Sequence, residues 1–94
     1  MGFIVADTST FVQNGLTLSN FVISIRDSYR VIKNNGVASV EFTAFYFAND
    51  AAYSSNCQPV LVVTKTLLIP AGTTDIVGFI YTTLKADYAN TTDN

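Results

Sequence analysis

Two apolar runs hinge on Asn35-Gly36, and that dipeptide constrains the chain more than any other feature. A two-residue type I′ turn needs positive φ at both central positions, which Asn followed by Gly meets at the least steric cost. With this pair as the turn, Asn20–Asp50 becomes a long antiparallel hairpin of defined register. Val31 then lies opposite Val40, Tyr29 opposite Phe42, Ile25 opposite Tyr46 and Ile23 opposite Ala48, all on one face because side chains alternate along a strand. Near the turn, the second face pairs Arg30 with Glu41 and Ser28 with Thr43. Farther away it sets Arg26 and Ser24 opposite Phe45 and Phe47, so this end is apolar on both faces and each needs a cover. Asp27 falls on the apolar face. A bulge or bend at Arg26-Asp27 accounts for that; a buried functional aspartate is the sharper alternative.

Residues 1–16 hold one short apolar run, Phe3-Ile4-Val5, followed by Asp7, Ser9, Gln13, Asn14 and Gly15. They read as an extended N-terminal arm with at most one brief strand. Leu16-Thr17-Leu18 leads into the hairpin. After the hairpin, residues 51–57 (AAYSSNC) read as a turn-rich connection, and Pro59 marks the start of the next strand. Residues 60–69 are apolar on both sides: Leu61, Val63, Leu67 and Ile69 share a face with Lys65, while Val60, Val62 and Leu68 share the other. Such a run is a central strand or an interface strand.

Residues 73–88 (TTDIVGFIYTTLKADY) carry two signals. Thr73 or Thr74 as N-cap, Asp75 in the first turn and the stripe Ile76, Phe79, Ile80, Leu84, Tyr88 describe a helix. The β-branched and aromatic content favours a strand, and Gly78 weakens a helix by about 1 kcal/mol. Periodicity and capping select the helix. Residues 89–94 form a polar tail, in which Asn90-Thr91-Thr92 matches a glycosylation pattern without a secretory signal to support it. The expectation is a single α+β domain over 1–94, mostly antiparallel β (a sheet or small sandwich built on the long hairpin), with one C-terminal helix.

Of the 94 residues, 49% are hydrophobic and 13% charged, against about 25% charged in an average chain. Seven Phe and five Tyr contribute to the apolar share. A domain of this size leaves roughly a third of its unfolded-state surface exposed, so part of that surface is expected to be covered by other protein; solvation by Thr, Ser and Asn is the plainer alternative. The candidate interface residues are Phe45, Phe47, Val60, Val62 and Leu68 on the strands, with Phe3 on the arm.

Other classes of function find little support. Net charge is −2, and Arg26, Arg30, Lys33, Lys65 and Lys85 are scattered, so no nucleic-acid footprint forms. Cys57 is single, which leaves no internal disulfide and no metal motif. Histidine is absent, no phosphate loop or nucleophile elbow occurs, and the carboxylates stand singly. No catalytic residue, metal or cofactor is expected. No apolar run is long enough to span a membrane as a helix. Phe42, Phe45, Tyr46 and Phe47 could stack on sugars or bases, although at this spacing such residues more often fill a core or an interface.

Several segments together resemble small structural proteins of tailed bacteriophages. They are Leu16-Thr17-Leu18-Ser19-Asn20-Phe21, the alternating Ile23 and Ile25, Tyr46-Phe47-Ala48-Asn49-Asp50-Ala51-Ala52, Gln58-Pro59-Val60, Tyr81-Thr82-Thr83-Leu84-Lys85, Tyr88-Ala89 and Thr92-Asp93. The resemblance spans roughly Leu16 to Asp93 and is a pattern, with no rare motif in it. The chain departs from it at Gly78-Phe79, where the family tends to be polar. It also departs after Lys85, where only Ala86 precedes Asp87 in place of a longer insert. The resemblance implies a helix over 73–88 and a non-enzymatic virion component that docks onto other virion proteins. Such a component is a tail, baseplate or fibre accessory or adaptor, assembled in the host cytoplasm as a homo-oligomer or in many copies. A capsid decoration protein and a carbohydrate- or host-binding module on the virion are the alternatives.

Overall fold

Residues 2–11, 15–26 and 28–93 are described by the computed structural model. In chain order the elements are β1 (Phe3–Val5), β2 (Ser9–Thr10), β3 (Thr17–Leu18), β4 (Phe21–Ser24), β5 (Tyr29–Asn34), β6 (Val37–Phe47), α1 (Asp50–Ser54), β7 (Leu61–Leu68), α2 (Ile76–Lys85) and β8 (Thr91–Asp93). The fold is mainly antiparallel β. Six strands form one sheet in the order β5-β6-β4-β1-β8, with β7 on the other margin of β6, while β2 and β3 make a separate two-stranded ribbon.

The hairpin turns where expected. Asn35 and Gly36 have φ of 53° and 78°, and Tyr29, Arg30 and Val31 face Phe42, Glu41 and Val40. Beyond residue 28 the register departs from the expected one. Ile23, Ser24 and Val22 pair with Tyr46, Phe45 and Phe47, whereas uninterrupted alternation sets Ile25 opposite Tyr46. A local turn explains the slip. The Ser28 amide donates to the Ile25 carbonyl at 2.7 Å, and Arg26 takes φ of 46°, so these residues leave the ladder. The Thr43 amide then rejoins it by donating to the Ser28 carbonyl at 2.9 Å. A slip of two residues changes every partner and preserves every face, because the side-chain period is two. Asp27 itself, and the buried-aspartate alternative with it, lies outside the described residues.

The N-terminal segment is no free arm. β1 lies between β4 and β8, and Phe3 and Val5 are fully buried; burying each such side chain contributes roughly 1.5–3 kcal/mol. Gln13 and Asn14, also assigned to the arm, lie outside the described residues. The expected polar tail supplies β8, so both ends of the chain meet in neighbouring strands. Asp7 fastens them: its carboxylate accepts the Ala89 and Asn90 amides at 2.8 and 3.1 Å and the Asn90 side-chain amide at 2.9 Å.

Two helices form where one was expected. α1 occupies part of the supposed turn-rich connection and is started by Asn49, whose side chain accepts the Ala52 amide at 2.7 Å. α2 is shorter than 73–88. Its N-cap is Asp75, which accepts the Gly78 amide at 3.0 Å, whereas the Thr73 hydroxyl is engaged with the Pro70 carbonyl. Gly78 fits this cap because a Cβ there would come within 2.2 Å of the Asp75 carboxylate.

α2 buries Ile80, Tyr81 and Leu84 against the sheet face that carries Phe3, Ile23, Phe42 and Tyr46. Tyr81 meets Phe3 edge-on at 5.9 Å. Phe11, Phe21, Tyr46 and Tyr88 form an aromatic cluster at one end of this core. With principal extents of 41 × 24 × 24 Å the molecule is elongated.

Candidate interaction surface

β6 organises the surface. Its odd-numbered residues turn their backbone groups toward β5, as the Thr43–Ser28 bond shows, and its even-numbered residues turn theirs toward β7, as the 2.9 Å bond from the Ile69 amide to the Ala38 carbonyl shows. β6 is therefore paired on both sides, while β5 and β7 form outer margins of the sheet.

The six candidate interface residues separate by burial. Val60, Val62 and Leu68 are 39%, 51% and 71% exposed. Phe45 is half-buried beside Val62, its cross-strand neighbour. Phe47 and Phe3 are wholly buried and so provide no contact surface in the folded chain. Phe47 is covered from two sides, by Tyr53 of α1 with ring centroids 5.2 Å apart and by the Arg26 guanidinium 4.6 Å above its ring. The doubly apolar end of the hairpin is thus closed by the chain's own helix and a folded-back arginine. Phe3 is capped by Tyr81 and by the Lys85 ammonium, 5.7 Å from its ring.

The structure adds exposed apolar residues on the hairpin: Tyr29, Val31, Ile32 and Val37. The sequence signal was the consecutive Val31-Ile32, which puts an apolar side chain on each face of a strand. Ile32 and Leu68 both pair with Ser39 from opposite sides, which sets two large side chains about 10 Å apart across a small one. A polar band separates this zone from Val62 and Phe45. It consists of the Arg30–Glu41 ion pair at 3.1 Å and the Thr43 and Thr64 hydroxyls at 3.3 Å. The face therefore reads apolar, polar, apolar along β6.

A cavity of about 240 Å³ is lined by Ser28, Tyr29, Arg30, Glu41, Phe42 and Thr43. Its one ionic pair is already satisfied internally. Among the described residues no group of acidic or cysteine side chains is placed to hold a metal, and no helix is long and apolar enough to cross a membrane. Cys57 is exposed.

No protein-family model, no curated protein and no solved structure matches this chain.

Proposed function

We propose that the chain is a non-enzymatic structural component of a tailed-phage virion, an accessory or adaptor that docks onto other virion proteins. The observation that carries the docking part is the exposure of Val62 and Leu68 on β7, a margin of the sheet with no described strand beyond it. An outer strand with unpaired backbone groups and apolar side chains is a template for a neighbouring chain. The virion part rests on the sequence resemblance alone. The aromatic residues that a sugar platform would use are largely inside: Phe42, Tyr46 and Phe47 are buried, which favours docking over glycan binding.

The test is incorporation. Val62→Ser with Leu68→Ser keeps strand-forming geometry while removing the apolar contact. Expected is a variant with unchanged circular dichroism that is depleted from purified particles by mass spectrometry. Normal incorporation of this variant overturns the placement of the contact, and absence of the unmodified chain from any particle overturns the virion reading.

A further inference from the structure

Resting on the docking reading above, we infer that β5 pairs with β5 of a second copy of this chain, antiparallel about a two-fold axis at Val31, so that two sheets become one. The backbone supplies the first argument. Residues 28, 30, 32 and 34 lie on the rungs that bond to β6, as the Ser28–Thr43 bond and the register establish. Tyr29, Val31 and Lys33 therefore turn their N–H and C=O groups outward, with no described strand beyond them. Pairing centred on Val31 sets Val31 against Val31 and Tyr29 against Lys33 of the second copy. In each pair both residues have outward groups, so each exchanges both hydrogen bonds.

Charge selects this register over its neighbours. Centring one residue toward the strand start sets Arg30 opposite Arg30, and centring one residue toward its end brings the two Lys33 within two residues, roughly 7 Å along the strands; like charges this close are destabilising. Centring on Val31 separates the two Lys33 by about four residues, roughly 13 Å, beyond the screening length of about 8 Å. It also lays each Lys33 beside a Tyr29 ring, an attractive pairing. Arg30 remains neutralised by Glu41 of its own chain. Tyr29, Val31 and Ile32, 37%, 43% and 36% exposed, gain cover. β7 is the poorer strand for self-pairing with every rung used, because symmetric pairing along its full length sets Lys65 opposite Lys65.

Single-cysteine variants in a Cys57→Ser background test the register. Under mild oxidation Val31→Cys is expected to form a disulfide dimer, while Arg30→Cys and Ile32→Cys, which report the neighbouring registers, are not. Val31→Pro removes an outward amide and no rung of the β5–β6 ladder. It is expected to weaken the dimer about tenfold or more in sedimentation analysis, with unchanged circular dichroism. A Cys57→Ser chain that stays monomeric at high concentration overturns the inference, as does a dimer that cross-links only at 30 or 32 or is indifferent to Val31→Pro. Particle incorporation separates the two readings: cross-linking at 31 without incorporation sinks docking and leaves self-pairing, and incorporation as a monomer does the reverse.

Discussion

The Tyr81 hydroxyl accepts the Ile25 amide at 3.1 Å across 56 residues of sequence. Ile25 follows Ser24, the last β4 residue on the β6 ladder, and its buried amide is held by α2. Tyr81→Phe keeps the ring against Phe3 and leaves a buried amide without this acceptor. A loss of about 1–3 kcal/mol in urea unfolding is expected, against no measurable change for Tyr29→Phe on the exposed strand.

At the start of α2, Asp75 and Gly78 act together. Replacing glycine by alanine inside a helix ordinarily gains about 1 kcal/mol. Here the added Cβ meets the capping carboxylate, so the gain is offset by the cap it displaces. Asp75→Ala is expected to cost about 1 kcal/mol. Gly78→Ala is expected to give no increase in melting temperature by calorimetry, whereas in an Asp75→Ala background the same change is expected to stabilise.

Acid should loosen the junction of the two chain ends. The Asn90 side chain, then the Asn90 and Ala89 amides, hold the Asp7 carboxyl below its ordinary value of 3.8. A carboxylate whose folded value is depressed contributes stability above the unfolded value and loses it as pH falls through the folded one. The stability of the natural chain is therefore expected to fall as pH drops below about 4, and an Asp7→Ala variant to show a shallower decline. Chemical denaturation at stepped acidic pH provides the comparison.

Alkali should act on the aromatic cluster. Burial pushes the Tyr46 and Tyr88 hydroxyls above their ordinary value of 10.0, most strongly for Tyr88. For an acid raised in the folded state, the stabilisation is complete below the unfolded value and disappears as pH rises through the folded value. In an ultraviolet phenolate titration these two tyrosines are expected to ionise last and together with loss of structure. Tyr88→Phe is expected to remove one late-ionising group.

The legible part of this fold was local. Asn35-Gly36 gave both turn and register because two adjacent positive-φ residues admit few alternatives. The interruption near Arg26 was also legible, since a charged residue broke the apolar alternation; its two-residue size was not, because that depends on hydrogen bonds between Ser28, Ile25 and Thr43. α1 has five residues and only a cap at Asn49 to announce it, so small residues read as turn. β1 reads as part of an arm because three apolar residues say nothing of the strands that flank them. At the interaction surface, alternation placed Val62 and Leu68 on one face correctly. It could not show that Tyr53 and Arg26 cover Phe47, or that Phe3 lies under Tyr81.

Placement of β1 between β4 and β8 carries a temporal consequence. Residues 6–90 separate Phe3–Val5 from Thr91–Asp93, so β1 leaves the ribosome well before β8 and one of its flanks waits for that whole stretch to acquire its neighbour. Contacts this distant in sequence slow folding. A nascent chain stalled before Thr91 would carry an unclosed flank opposite the hairpin, available to any passing strand.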